Sequence, residues 1–261
     1  MGEILIGTSG FYYGDWKGVF YPEDIPAGEY LSYYSLRYKT LELNFSYYKI
    51  PDSRQCAKML ENSGGSLEFT VKAFRQLTHE ISDRSITEVL PHFIKGISPF
   101  IEGKRLGAIL LQFPQSFHYT VENRFYLKSL LEAMSGLPVA VEFRQKEWLR
   151  ESVYRTLEKM HAAFVCVDEP LLPSLIPKTM ITTSDIGYIR FHGRNKKDWY
   201  GTDSLTRYDY LYSDQELKEW APEILAIAEK TKKLFVFFNN HARAQAVTNA
   251  GMLINLLCKE L

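Results

Sequence analysis

The residues best able to do chemistry recur at the ends of short apolar runs. Glu42 and Asn44 close LELNF, Lys72 closes EFTVK and Gln112 closes AILLQ. Glu142 and Arg144 close VAVEFR, Asp168 closes FVCVD, Arg190 and His192 close YIRFH, and Asn239 and Asn240 close VFFNN. Cations and carboxylates together open three chemistries. Acid–base catalysis would fall to Glu42, Lys72 and Glu142, provided their surroundings shift a pKa toward neutrality. Capture of an anion would fall to Arg144, Arg190 and Arg194. A metal would draw on Glu42, Glu142, Asp168 and His192, whose oxygen and nitrogen atoms suit Zn, Mn or Mg. Interleaved Lys and Arg repel a cation, and neither HxH nor HExxH spacing occurs, so no metal site is assigned. Ser9, as an isolated nucleophile, has no visible triad. The sequence identifies no cofactor.

Residues so far apart in the chain need a scaffold that gathers strand ends. Eight β-type runs begin at Ile4, Thr40, Glu68, Gly107, Pro138, Ala163, Gly187 and Leu234, most of them separated by enough chain for a crossover helix. Strand and helix alternating in this way predict an α/β fold, a closed (β/α)8 TIM barrel with residues 1–261 as one domain. Pro170, Pro173 and Pro177 leave no room for a regular helix after the sixth run, so an irregular connection is expected there. Ser213 and Glu216 form a capping-box pattern, and Asn239 or Asn240 precedes the last helix, expected to begin near His241.

Strand parity then aims the side chains. In LELNF, Leu41, Leu43 and Phe45 share one face, and Glu42 and Asn44 the other. The same alternation sends Lys72, Gln112, Glu142, Arg144, Asp168, Arg190, His192 and Asn239 into the lumen near the C-terminal strand ends, where barrel enzymes carry their sites. Buried charge must be paired, and neighbouring strands suggest Glu42 with Lys72 and Asp168 with Arg190. Any one pair is explained by mutual neutralisation; six ionisable groups at one rim are better explained by a functional site.

Two loops extend this reading. GTSGFYYGDWKGVFYP after the first strand offers Thr8, Ser9 and Gly10 to a ligand and aromatics to wall it, or else plugs the barrel mouth with Trp16, Phe20 and Tyr21. RFHGRNKKDWYG after the seventh offers Arg190, Gly193 and Arg194 to an oxyanion, beside free N–H groups of the last helix. Against this, Asn240 serves as a plain N-cap, and Arg194, Lys196 and Lys197 form a solvated face. WYGTDSLTRYDYLYSD interleaves Arg207 with Trp199, Tyr200, Tyr208, Tyr210 and Tyr212, a surface for stacking sugars or bases or an apolar staple.

Composition narrows the partners. Lys plus Arg and Asp plus Glu both number 31, so no global field draws the chain to polyanions. Three dispersed cysteines, Cys56, Cys166 and Cys258, give no disulfide framework, and no leader pattern or spanning apolar run is seen, so a cytoplasmic protein off the membrane is expected. The partner expected is a small anionic or phosphorylated ligand, with nucleic acid as the alternative; oligomeric state is left open.

GTSGFYYGDWKGVFYP, LELNFSYY, LLQFPQSF, VEFR, YIRFHG, YSDQELKEWA and FFNNHARAQAVTNA occur in this order and resemble the YecE-like family, known as domain of unknown function 72, from Ile4 to about Leu257. The resemblance implies a TIM barrel, without a settled activity or substrate. It also implies shared positions at Thr8, Ser9, Gly10, Glu42, Asn44, Lys72, Gln112, Glu142, Arg144, His192, Gly193, Asn239 and Asn240. One departure follows VEFR, where relatives often carry His and this chain has Gln145. A looser likeness links such barrels to apurinic endonucleases and sugar isomerases, whose His-rich metal clusters have no counterpart among the six His here. The reading is an enzyme of unassigned reaction acting on a phosphorylated sugar or nucleotide-type ligand, with a nucleic-acid-binding or repair protein, or a ligand sensor, as alternatives.

Overall fold

A computed structural model of the chain describes residues 1–201 and 204–260. Its eight strands are β1 (Glu3–Thr8), β2 (Thr40–Leu43), β3 (Glu68–Lys72), β4 (Leu106–Gln112), β5 (Val139–Glu142), β6 (Ala162–Asp168), β7 (Ile186–Phe191) and β8 (Lys233–Phe238). They run in the order β1-β8-β7-β6-β5-β4-β3-β2, every paired neighbour parallel. A bridge between Ser9 and Glu42 closes the ring, with the Gly10 N–H donating to the Glu42 carbonyl at 2.8 Å. The TIM barrel read from the sequence is the fold, and all eight runs are its strands.

At the seam between β1 and β2 a side chain stands in for ladder hydrogen bonds. The Tyr34 hydroxyl accepts from the Thr8 N–H at 2.9 Å and donates to the Thr40 carbonyl at 3.1 Å. A Cβ at Gly7 would lie 2.3 Å from that carbonyl, so only glycine lets the two strands approach.

The outer layer comprises α1 (Tyr30–Ser35), α2 (Ser53–Asn62), α3 (Leu90–Glu102), α4 (Val121–Ala133), α5 (Glu151–Lys159), α6 (Ser204–Arg207), α7 (Asp214–Lys218), α8 (Ala221–Lys230) and α9 (Gln245–Glu260). Asp52 caps α2 and Thr120 caps α4. The Ser213–Glu216 capping box opens α7 as expected. The helix it starts is shorter than its apolar periodicity suggests, because Trp220 turns inward to bond Asp168 and Pro222 restarts the chain as α8. Between β6 and β7, residues 169–185 contain no helix, in line with the three prolines, and Thr183 pins the end of the loop to Ala162 and Phe164 of β6. No described helix is long and apolar enough to cross a membrane.

Candidate functional site

Lumen-facing side chains change character along the barrel axis. Lower down, Tyr188, Phe235 and Phe237 fill it with aromatic rings. The Tyr188 hydroxyl donates to Glu42 at 2.7 Å, and the Thr70 hydroxyl lies 3.0 Å from it. Above them lies an ionic layer whose carboxylates are buried. Arg190 donates from Nε and Nη2 to the two Glu42 oxygens, at 2.9 and 2.6 Å, and from Nη1 to Glu142 at 2.7 Å. Glu142 also holds Arg144 Nε at 2.8 Å and lies 3.2 Å from His192 Nε2. Glu169, the first residue past β6, accepts from Arg144 at 2.9 Å and from the Ile176 N–H at 3.1 Å, tying this layer to the long loop.

The charge states follow from burial set against these partners. Burial alone would raise the Glu142 carboxyl, but Arg144, Arg190 and His192 hold it well below the usual carboxylate range. His192 is depressed to about 3 by burial and by Arg144, so the ring is neutral; with Nε2 protonated it donates to Glu142 and leaves Nδ1 for Asn239 Nδ2 at 3.2 Å. Glu169 is pushed up to about 7, burial outweighing Arg144.

An open cavity of about 730 Å³ sits over this layer at the C-terminal strand ends. Lys72, Arg144 and Arg190 form its floor and Arg207 reaches it from the rim; among the described residues no carboxylate lines it. Asn44, Gln112 and Asn239 add neutral polar groups, and the buried Asn44 Oδ1 has no hydrogen-bond partner among the described residues. One wall is a run of rings: Tyr13 stacks on His241 at 4.7 Å, Tyr208 follows, and Trp199 lies under the Arg144 guanidinium at 5.8 Å. Opposite stand Tyr47 and His79, 4.8 Å apart. Tyr12, Tyr48 and Tyr200 stand exposed at the mouth.

Of the residues singled out from sequence, Gly10, Asn44, Lys72, Gln112, Arg144, Arg190 and Asn239 line the cavity. Glu42, Glu142 and His192 lie behind the arginines rather than at its surface. Ser9 is buried, its hydroxyl without a partner among the described residues. Thr8 faces the helices, its hydroxyl directed to Tyr34 and the Gly10 carbonyl.

Asp168 also points outward: its register partner on β7 is Phe191, and its carboxylate is taken by Tyr212, Trp220 and Arg194. Neither pairing inferred from strand adjacency forms, because Arg190 reaches across the lumen to Glu42 and leaves Asp168 to Arg194, while Lys72 bonds Gln112. Arg194 is chelated by Asp168 and Glu216, and the Gly193 N–H donates to Tyr212, so the expected Arg190–Gly193–Arg194 oxyanion cradle is absent. Lys196 and Lys197 are exposed, as the solvated-face alternative had it.

Asn240 is no N-cap; it bonds the Tyr210 carbonyl and Asn249. The last helix starts at Gln245 rather than near His241. Arg243 and Ala244 adopt left-handed conformations (φ 52° and 58°), Asp15 holding the Arg243 N–H and Asp209 its guanidinium, so the regular helix begins only after this kink.

The first loop divides: Gly10, Phe11, Tyr12 and Tyr13 line the cavity, whereas Thr8 and Ser9 do not reach it, and Trp16, Phe20 and Tyr21 pack into an aromatic cluster with the α1 tyrosines. In the basic–aromatic stretch, Trp199, Tyr200, Arg207 and Tyr208 reach the cavity; Tyr212 is buried against Phe191, and Tyr210 packs against Tyr212 and bonds Glu216. Thr202 and Asp203 of that stretch lie outside the described residues. Gln145 is buried, donating to the Gln115 carbonyl. Sequence reasoning missed Glu169, hidden beside Asp168, and His79, which no local pattern marks.

A TIM barrel with a carboxylate-backed arginine floor under an aromatic-walled cavity is the class of protein this geometry defines. The chain matches the model for "Protein of unknown function DUF72" over residues 5–261 and belongs to that family. It is 32% identical to the UPF0759 protein YunF of Bacillus subtilis, over 97% of this chain and 94% of that one. A DUF72 family protein from Thermotoga maritima superposes with a TM-score of 0.90 at 40% identity, covering 98% of this chain and 99% of that one. One from Enterococcus faecalis gives 0.84 at 26%, covering 98% and 95%. The barrel alone is shared with a D-allulose 3-epimerase from a Methylomonas species, with a TM-score of 0.53 at 11% identity over 100% and 99% of the two chains.

Proposed function

We propose that the protein is an enzyme acting on an anionic, phosphorylated sugar- or nucleotide-type compound bound at the C-terminal face of the barrel. The observation that carries this is the asymmetry of the ionic layer: its cations line the cavity and its carboxylates lie behind them. Arg190 uses three donor contacts on carboxylates and Arg144 two, and a guanidinium has five N–H donors, so both keep hydrogen-bonding capacity for a ligand oxygen. The cavity volume suits a small molecule, and the rings of Tyr13, Tyr208 and Trp199 offer faces for a sugar or base. Lys72 supplies the acid–base group at the floor; Glu42 and Glu142 hold the arginines in place. Free Cys56, Cys166 and Cys258 support a reducing, cytoplasmic setting.

The test is calorimetric titration of glucose 6-phosphate and adenosine monophosphate against glucose and adenosine. Binding confined to the phosphorylated pair, and lost in Arg144→Met, is the expected result. Equal affinity with and without phosphate would overturn the reading.

The exposed Tyr12, Tyr48 and Tyr200 around Arg207 favour a second reading, a single-stranded nucleic-acid end seated at the mouth. Such binding falls steeply with salt through counterion release. A fluorescent oligonucleotide that shows no affinity at low salt would eliminate it.

A further inference from the structure

Lys72 differs from the guanidinium groups beside it. Arg144 has Glu142 and Glu169, and Arg190 has Glu42 and Glu142. Among the described residues Lys72 forms no ion pair: Nζ donates to the neutral amide oxygen of Gln112 at 2.7 Å and lies 4.5 Å from the centre of the Tyr47 ring. Gln112 is itself fixed, its Nε2 donating to the Phe113 carbonyl at 2.7 Å, so its oxygen stays on Lys72. An amine without a counter-charge, on a cavity floor with two positive groups, is in the setting that turns a lysine into a nucleophile.

We propose that Lys72 Nζ forms an imine with the carbonyl carbon of an anionic aldehyde or ketone whose charged group is held by Arg144. This rests on the anion-binding reading of the cavity and adds a covalent step to it. The Nζ lone pair forms the C–N bond while the carbonyl π pair moves to oxygen, and one Nζ proton passes to that oxygen to give a carbinolamine. The C–O bond then breaks, its pair leaving with oxygen as water together with the second Nζ proton, and the nitrogen lone pair closes the C=N bond. Amine and carbonyl give imine and water, with nothing oxidised or reduced.

The surroundings favour the free amine this step needs. Burial, then Arg190 and Arg144, bring the Lys72 ammonium down to about 7 against the opposing pull of Glu142 and Glu42. His79 adds no charge at neutral pH, being depressed to about 4 by burial and Lys72, and burial raises the Tyr47 phenol, which stays protonated.

The experiment is reductive trapping of the full chain at pH 7 with glyceraldehyde 3-phosphate and cyanoborohydride, read by peptide mass spectrometry, with sulfate-dependent thermal melts alongside. One dominant adduct at Lys72 is expected. At pH 7 its free-amine fraction should exceed that of exposed lysines, which ordinarily titrate near 10.4, by about a thousandfold, and its labelling should be faster accordingly. It should fall with unphosphorylated glyceraldehyde and vanish in Lys72→Arg and Lys72→Met while sulfate still raises the melting temperature of whichever variant folds. Labelling spread over surface lysines in a protein that binds sulfate overturns the imine alone. No sulfate response and no Lys72 adduct overturns the anion site as well.

Discussion

Arg190 on β7 grips Glu42 on β2 from across the lumen, with two nitrogens on two oxygens at 2.6 and 2.9 Å, although the two strands are not neighbours. A bidentate pair spanning the barrel at zero exposure for Glu42 needs both partners. Glu42→Gln is expected to destabilise the fold by about 3–5 kcal/mol in chemical denaturation, because Arg190 is left half-compensated. Glu42→Leu combined with Arg190→Met should recover most of that loss, since an apolar pair needs no neutralisation, yet bind anions more weakly. A double variant as unstable as the single one would show that the pair does more than cancel charge.

Glu142 and Glu169 both hold Arg144, but in different states. Glu142 is firmly ionised, whereas Glu169 titrates near 7. Glu142→Gln should therefore cost stability on the scale of a broken buried pair, about 3–5 kcal/mol, and recover part of it with added sulfate, because two arginines lose a competing carboxylate. Glu169→Gln keeps an acceptor for the Ile176 N–H and should cost less, while tightening sulfate binding above pH 7. Melts of both variants with and without sulfate decide the matter: a Glu142→Gln protein that loses stability with no sulfate-dependent recovery would mean the arginines are structural.

The sequence exposed the barrel because each polar residue of LELNF, VAVEFR and YIRFH interrupts an apolar alternation, which sets the phase of the strand. The same logic failed at FVCVD, where apolar side chains occupy both faces. Parity there has no phase, and Asp168 turned out to face the helices. Pairing by strand adjacency failed for another reason: an arginine is long enough to cross the lumen, so Arg190 chose Glu42 over Asp168. Arg243 and Ala244 could not be foreseen, since non-glycine residues with positive φ carry no sequence mark, and Asp15 and Asp209 hold Arg243 from distant loops.

The Tyr34 hydroxyl closes the barrel between Thr8 and Thr40. Tyr34→Phe keeps the ring in its aromatic cluster but leaves a buried N–H and a buried carbonyl unpaired, a loss of about 1–3 kcal/mol. The damage should be local. Hydrogen exchange at Ser9 and Gly10 should rise well before that of β4 and β5, and uniform exchange across the barrel would show that the seam is held by something else.

Lys72 gives the fold a pH dependence with a definite sign. Its ammonium titrates near 7 in the native state and near 10.4 in an unfolded chain. Between those values the unfolded state binds more protons, so stability rises with pH across this window and is flat with respect to this group below about 7. Lys72→Met removes the rise, and the difference between wild-type and variant unfolding free energies isolates it from other groups that titrate there. An anion on the floor favours the charged amine, so binding takes up a proton and weakens as pH climbs above 7. Sulfate, which does not titrate in this range, is the probe. Calorimetry in buffers of different ionisation enthalpy should show proton uptake for the wild type and much less for Lys72→Met. Equal uptake by both proteins would place the titrating group elsewhere in the cavity.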